Sequence, residues 1–320
     1  MNIETVNAMS LVDGLPLEVL IAEPDPEVPF KGIIQIVHGK CEHKERYLPF
    51  IQYMTSAGYP CMIHDHRGHG GSLRNPDDLG YMYGVGVEGF LADIHQISRL
   101  ARKRWPDLPL IQFGHGMGSL AVRCFIRNWE DEVDCIILDG SPSWNPLASS
   151  GLLFAKLRKN PKKKKSSSRL LKHVIQVPYD KRFPGENADF NWLCRNQEAV
   201  DEYNRDPLCG FDLSAEGYEI YLKLIKDSYK KNGWKTQKPN LPILFVGGAD
   251  DPYIGGPAPF HQALRSMRSL GYRNVKGRLY PGLRHEILNE AEKELVFSDL
   301  EKYLEKTLEE KPEAANETEK

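Results

Sequence analysis

The 320-residue sequence lacks long apolar runs, paired cysteine motifs and an excess of charge of one sign. No stretch approaches the ~20 apolar residues that a membrane-spanning helix needs, and the N-terminal residues lack the basic-then-apolar pattern of a secretory signal. Lys and Arg number 42 against 44 Asp and Glu, a net charge of -2 that argues against a nucleic-acid partner. These absences favour a cytoplasmic globular protein.

The six cysteines are widely spaced and contain no C-x-x-C pair, so the sequence indicates neither a zinc site nor a thioredoxin-like redox motif. His64, His66 and His69 lie close together, but they straddle a predicted tight turn, which is a poor arrangement for zinc ligands. We therefore expect free thiols, no metal and no cofactor.

Short runs of apolar, β-branched residues alternate with amphipathic stretches along most of the chain. We predict strands over Gly32–Val37, Pro60–His64, Leu110–Phe113, Cys135–Leu138, Pro242–Val246 and Val275–Tyr280. We predict helices over Lys44–Ala57, Phe90–Trp105, Met117–Trp129, Pro259–Leu270 and Leu288–Leu308. Continuous apolar strands alternating with helices indicate an α/β fold, mostly a parallel sheet with helices on both faces. An antiparallel hairpin joined at Asp13-Gly14 should add edge strands.

The alternation breaks between residues 141 and 238, where aromatic residues are frequent and β-branched runs are few. We predict a helical cap (lid) inserted between core strands, with the core formed by residues 1–140 and 239–308 and a disordered acidic tail over 309–320. The cap contains the basic segment Lys156–Lys165. It is either a solvated loop or a patch for transient contact with an anionic membrane or micelle surface.

The informative segment is Gly114-His115-Gly116-Met117-Gly118, which follows a predicted strand and opens a predicted helix. A nucleophile elbow has this position and the pattern G-x-S-x-G; here both flanking glycines are present and glycine replaces the central serine. Taken alone, such a turn could equally bind phosphate at the helix N-terminus.

Three further positions strengthen the elbow interpretation. Asp251 follows one strand and His285 follows the last one, so the chain order is elbow, acid, histidine. Asp250 is a rival for the acid. The backbone N–H groups of Lys40 and Met117 would form an oxyanion hole. Because these motifs all end parallel strands, they should meet at one edge of the sheet.

Jointly the motifs resemble the monoacylglycerol lipase and lysophospholipase branch of the α/β-hydrolases, related to the serine aminopeptidase group. The resemblance extends from about residue 5 to residue 308 and is carried by His38-Gly39, Glu42-His43, Tyr47, Asp65-His66-Arg67-Gly68-His69-Gly70, Ser72, the elbow, Leu138-Asp139-Gly140-Ser141-Pro142, Tyr203, Asp206-Pro207, Asp251-Pro252 and His285-Glu286. It implies an α/β-hydrolase fold and a triad in which Asp251 and His285 are acid and base and Gly116 has the position of the nucleophile.

The resemblance implies a small ester or lipid substrate with an apolar acyl chain. We expect His38, Gly39, Trp192 and Phe183 to contact it. His115 is expected to be a packed core histidine.

Glycine at position 116 excludes an acyl-enzyme, so we expect this chain to bind substrate and to hydrolyse it extremely slowly. Either serine is the native residue and glycine was introduced to hold a ligand, which we favour, or the protein is a natural non-catalytic acyl- or lipid-binding pseudoenzyme. A weaker alternative is an aminopeptidase-like hydrolase, for which Glu186, Asp189 and Glu198 would hold the substrate's amino terminus.

Overall fold

The computed structural model describes residues 1–144, 148–158, 165, 168, 171, 179, 181–183 and 189–309. Within these residues one sheet contains eight strands. They are β1 (Asn2–Met9), β2 (Pro16–Glu23), β3 (Ile33–Val37), β4 (Cys61–His64), β5 (Leu110–His115), β6 (Cys135–Asp139), β7 (Ile243–Gly248) and β8 (Val275–Tyr280).

The spatial order of the strands is β1-β2-β4-β3-β5-β6-β7-β8. β1 pairs antiparallel with β2, and β2 antiparallel with β4, whereas every neighbouring pair from β4 to β8 is parallel. The central strands β3 to β7 are buried along their whole length, which explains their continuous apolar sequence. The carboxyl ends of β3, β5, β6, β7 and β8 therefore lie along one edge.

The predicted strands and the N-terminal hairpin are confirmed, and the strand ends differ from the predicted ones by at most two residues. Gly14 has φ +69° and its amide donates to the carbonyl of Ser10, forming the turn between β1 and β2. β5, β6 and β7 extend further than predicted, to His115, Asp139 and Gly248, so the predicted site residues begin directly where these strands end.

The described α-helices cover both faces of the sheet, as expected. They are α1 (Leu48–Ser56), α2 (Gly86–Arg104), α3 (Met117–Trp129), α4 (Ala148–Arg158), α5 (Gln197–Arg205), α6 (Ala215–Ser228), α7 (Pro257–Arg268) and α8 (Lys293–Glu309). One apolar core contains side chains of α2, α3 and α7, and a second one, on the opposite face, contains side chains of α1 and α8.

Two predicted helices begin too early. The segment predicted as Lys44–Ala57 is a 3-10 helix, Lys44–Tyr47, followed by α1. Pro49 lies in the first turn of α1, where a missing N–H is tolerated, and an α-helix continuing through it from Lys44 would lose a hydrogen bond. The last helix begins at Lys293 rather than Leu288, because the preceding loop folds back and the Arg284 amide donates to the Glu290 carboxylate at 2.8 Å.

Helices α4, α5 and α6 lie in the long connection between β6 and β7, the region predicted to be the cap. α4 packs on α6, and α6 packs on α3 of the core. Residues 159–164 of the predicted basic segment and residues 310–320 of the predicted tail lie outside the described residues, while Glu309 is the last residue of α8.

Two further findings bear on the environment of the chain. None of the helices in the described part is both long and apolar enough to cross a membrane. All six cysteines lie in the described part of the chain, where they are buried and form no disulfide with one another.

Candidate active site

The elbow lies where β5 ends and α3 begins. Gly116 has φ 52° and ψ -115°, a conformation that side-chain-bearing residues adopt only under strain. A Cβ at Gly114 would lie 2.7 Å from the Gly118 carbonyl oxygen, and a Cβ at Gly118 would collide with the Val37 carbonyl oxygen. The two flanking glycines are therefore required by the close approach of helix and strand.

Position 116 differs from its two neighbouring glycines. A Cβ built there would lie 3.3 Å from His285 Nε2, with Cε1 of the same ring at 3.7 Å and the Gly39 Cα at 3.8 Å. A side chain at 116 thus points at the imidazole and the loop after β3. A residue larger than glycine at position 116 would have to adopt these unusual backbone angles. Its Cβ would also make one slightly tight contact, with the movable ring of His285.

The structure brings Asp251 and His285 together. His285 Nδ1 lies 2.9 Å from Asp251 Oδ2, and Asp251 Oδ1 accepts the Tyr253 amide at 2.7 Å. Both side chains are buried, whereas Asp250 is exposed to solvent. Asp251, and not Asp250, therefore orients the imidazole so that Nε2 faces position 116.

Lys40 and Met117, the predicted oxyanion-hole donors, both line the small cavity at Gly116 and His285. Met117 is the first residue of α3, where backbone N–H groups have no partner within the helix. The neighbouring Gly39 amide donates to Glu42 Oε1 at 2.6 Å, which fixes the loop after β3.

This cavity has a volume of about 30 Å³, enough for about one water molecule. Trp192, Tyr253 and His285 form one wall, with the rings of Trp192 and Tyr253 centred 5.1 Å and 4.6 Å from that of His285. The remaining described lining residues are Gly39, Lys40, Glu42, His115, Gly116, Met117, Phe190, Leu193, Tyr203 and Glu286.

Two predicted substrate contacts lie elsewhere. His38 is fully buried; its Nδ1 bonds the Gly39 carbonyl at 2.9 Å and its Nε2 accepts the His66 amide at 2.9 Å. Phe183 lies under the guanidinium of Arg284, 3.7 Å from ring centre to Cζ. Neither is among the described residues that line the cavity.

A charged cluster that the sequence reasoning missed includes two residues that line the cavity, Glu42 and Glu286. Arg46 forms two bonds of 2.6 Å to Glu286 and one of 2.8 Å to Glu42; Tyr47 also donates to Glu42, at 2.8 Å. Burial would raise the pKa of Glu286, but Arg46 outweighs it and lowers that pKa to about 2. Both carboxylates are thus paired with the same guanidinium.

His115 forms a second histidine–carboxylate pair, which the sequence reasoning also missed. The residue is buried as expected, yet it lines the cavity, and its Nδ1 lies 2.7 Å from Asp139 Oδ2. Burial would lower the pKa of His115, but Asp139 with Glu42 and Glu286 raises it to about 9. The signal was available in the sequence, since both residues end neighbouring parallel strands.

In the part of the chain that the structure describes, one group of side chains could offer three metal ligands: His43, Asp206 and Cys209. His43 is already engaged by Glu45 at 2.5 Å and by Asp206 at 2.7 Å. These bonds link the segment after β3 to the region after α5, beside a second, larger cavity of about 640 Å³.

Most of the chain matches a known protein family and related lipases. A family model described as "Serine aminopeptidase, S33" matches residues 29–292. A monoacylglycerol lipase of Mycolicibacterium smegmatis is 27% identical over 282 residues, covering 87% of this chain and 90% of that protein. The phospholipase YtpA of Bacillus subtilis is 25% identical over 268 residues, covering 83% of this chain and 92% of that protein.

Solved structures match over nearly the full length. A thermostable carboxyl esterase from Bacillus coagulans, in complex with glycerol, superimposes with a TM-score of 0.85 at 23% identity, covering 96% of this chain and 99% of that one. A soluble variant of monoglyceride lipase from Saccharomyces cerevisiae gives 0.72 at 17% identity, covering 95% and 94%. At these identities the matches establish the fold.

Proposed function

Because the chain belongs to the serine aminopeptidase (S33) family of α/β-hydrolases, we propose that it is a serine-hydrolase scaffold for carboxylic esters with apolar acyl chains. The class includes monoacylglycerol and lysophospholipid lipases and esterases. The substrate is a small ester or lipid, and no cofactor takes part. The names of its relatives, a monoacylglycerol lipase and a phospholipase, support this substrate class.

The observation that carries the proposal is the direction of a side chain at position 116. A Cβ there would point at His285 Nε2 from 3.3 Å, and Asp251 holds the opposite nitrogen of the same ring at 2.9 Å. This is the arrangement in which a histidine takes the proton of a serine and an aspartate fixes the tautomer. A serine at position 116 would complete this arrangement.

Glycine at 116 makes the chain as written nearly inactive, because no covalent acyl-enzyme can form. The oxyanion-hole donors and the binding surfaces remain, and in other hydrolases such remnants retain ~10³–10⁴-fold catalysis over water. The alternative is a natural acyl- or lipid-binding pseudoenzyme that makes no use of Asp251 and His285.

Trp192, Phe190 and Leu193 line the cavity from the region between β6 and β7, and they supply the apolar surface that an acyl chain needs. These side chains lie next to position 116 and His285, where the acyl portion of a bound ester would begin. The cap thus sets chain-length preference, and the sheet edge supplies the chemistry.

Helix α4 supports transient contact with an anionic membrane or micelle surface on the cytoplasmic side. Leu153 and Leu157 are 60% and 76% exposed, with Phe154 and Trp144 nearby in sequence at 37% and 38%, and Lys156 between them is exposed. Leu157→Glu should lower the fraction of the protein that cosediments with phosphatidylcholine vesicles, with and without phosphatidylserine. An unchanged fraction would refute the contact.

The decisive experiment compares Gly116→Ser with Gly116→Ala, which adds the same Cβ without a hydroxyl. We expect Gly116→Ser to raise kcat/KM for monoacylglycerols and for short and long nitrophenyl esters by at least about 10⁴-fold. Gly116→Ala should leave it at the level of the glycine form. If Gly116→Ser shows no gain over Gly116→Ala, the hydrolase proposal fails; saturable lipid binding without such a gain would favour the pseudoenzyme.

The aminopeptidase alternative needs free acidic groups at the cavity. Glu42 and Glu286 line it but are both paired with Arg46, and Glu198 lines the second cavity. Asp189 is exposed, and Glu186 lies outside the described residues. We therefore place ester hydrolysis first.

A further inference from the structure

Two histidine–aspartate pairs face the same small cavity. His285 with Asp251 is the pair of the proposed triad, and His115 with Asp139 is the second one. The two imidazole rings are centred 4.6 Å apart, and both line the cavity at Gly116. In each pair the carboxylate holds Nδ1, so Nε2 is the nitrogen left for chemistry.

The second pair is built into the sheet rather than into a loop. His115 ends β5 and Asp139 ends β6, and the two residues are direct partners in the parallel register. Asp139 is fully buried and His115 is 5% exposed. Such a pair cannot rotate freely, so the ring keeps a fixed orientation towards the cavity.

The surroundings of His115 are acidic. Glu42 from the loop after β3 and Glu286 from the loop after β8 face it in addition to Asp139, while Arg46 neutralises part of their charge. The edge of Tyr47 lies beside it, with ring centres 6.5 Å apart. A proton on His115 is therefore stabilised by three carboxylates, those of Asp139, Glu42 and Glu286, and its pKa of about 9 agrees with that.

The lining of the cavity includes the polar side chains of His115, Glu42 and Glu286 and the apolar side chains of Trp192 and Phe190. An ester bound with its acyl chain against the apolar side chains would place its alcohol portion towards the polar ones. The alcohol oxygen is the atom that needs a proton when the ester bond breaks.

We propose that His115 is the general acid of a serine-independent hydrolysis in which His285 is the general base, a proposal that rests on ester binding as described under the proposed function. His285 Nε2 removes a proton from water while the water oxygen bonds to the ester carbonyl carbon. The carbon–oxygen bond to the alcohol then breaks, and His115 Nε2–H protonates the departing alkoxide. The products are one carboxylic acid and one alcohol, and proton exchange with solvent restores both rings.

This route needs no acyl-enzyme, so it is open to the chain with Gly116. The cavity lined by His285 and His115 has room for a water molecule. Asp139 is a positioning residue: it fixes the tautomer of His115 and stabilises its proton.

The test uses two substrates that differ only in the need for an acid. A nitrophenyl ester releases a weakly basic alcohol and needs little protonation, whereas an ethyl or glycerol ester of the same acid requires it. In the Gly116 chain, His115→Gln should slow the alkyl ester by at least about 10²-fold and the nitrophenyl ester by less than about 3-fold. His95→Gln, which removes another histidine–carboxylate pair (His95 with Glu132, 2.8 Å), is the matched control and should change neither.

The pH profile supplies a second readout. Alkyl-ester hydrolysis should decline as pH rises through about 9, and Asp139→Asn should move this decline to lower pH without loss of the folded near-ultraviolet spectrum. If His115→Gln slows both esters equally, or slows neither ester, His115 is not the general acid. The proposal is also wrong if the Gly116 chain hydrolyses the esters no faster than its His285→Gln variant does. In the Gly116→Ser chain, where His285 can protonate the alcohol, His115→Gln should have little effect.

These outcomes separate the two proposals. If Gly116→Ser gains activity and His115→Gln has no effect in the Gly116 chain, this inference is wrong and the proposed hydrolase function stands. If Gly116→Ser gains no activity, the proposed hydrolase function itself is wrong.

Discussion

The sheet side and the cap side of the cavity are constructed differently. On the sheet side, His285, Asp251, His115 and Asp139 follow or end parallel strands and are fixed by bonds of 2.7 to 2.9 Å between charged or polar groups. On the cap side, Trp192 contributes ring packing. The comparison indicates that different residues determine the reactivity and the shape of the cavity. Substitutions on the sheet side should therefore alter stability and its pH dependence, and substitutions on the cap side should alter selectivity.

Arg46 joins the two sides, and its loss should have the largest effect on stability. It pairs with Glu42 and Glu286 on the sheet side, and its guanidinium lies 4.7 Å from the ring centre of Tyr203 on the cap side. Arg46→Met leaves two buried carboxylates without a cation, which costs about 3–5 kcal/mol. Urea unfolding would measure the loss.

The control is Lys223→Met, which breaks an exposed pair with Glu88 and should cost less than about 1 kcal/mol. A similar small loss for Arg46→Met would mean that the two sides are not coupled through this cluster.

The sheet side should also make stability depend on pH through His115. Its pKa is raised from 6.5 to about 9, so its contribution is complete below about 6.5 and is lost as pH rises towards 9. The contribution amounts to at most about 3 kcal/mol. The difference in free energy of unfolding between the chain and His115→Gln should shrink between pH 6 and 10. A difference that stays constant with pH would contradict the ionised pair.

The cap side should show the smallest effect, confined to selectivity. In the Gly116→Ser chain, Trp192→Ala should lower kcat/KM about 10-fold for long-chain esters, because apolar contact is lost, and hardly at all for acetate esters. Phe183→Ala is the control and should alter neither, since Phe183 packs on Arg284 rather than on the cavity. An equal loss for short and long esters would show that Trp192 supports His285 instead of the acyl chain.

The sequence predicted the sheet side better than the cap side. Strand–helix alternation predicted the parallel sheet, and the short spacing between strand ends and Gly116, Asp251 and His285 predicted that these positions meet. Such contacts follow from topology, because the ends of parallel strands share one edge.

The charged cluster could not be predicted in the same way. Arg46 and Glu286 are 240 residues apart, and neither lies at a position that a periodic pattern distinguishes. Phe183 was expected at the substrate because it is aromatic and lies in the cap, but aromatic composition does not say which way a ring faces. The His115–Asp139 pair was predictable in principle from strand register and was overlooked.

The three glycines of the elbow have a practical consequence for variant libraries. Substitutions at Gly114 and Gly118 collide with backbone atoms and would be removed by any sort for folded protein. A Cβ at Gly116 would lie 3.8 Å from the Gly39 Cα, the nearest backbone atom outside its own chain neighbours. A small side chain there costs about 1–3 kcal/mol of backbone strain, so such a variant can pass the same sort. The amount of folded protein therefore says little about which residue is functional at position 116. A measurement of ester turnover is needed to detect the effect of that residue.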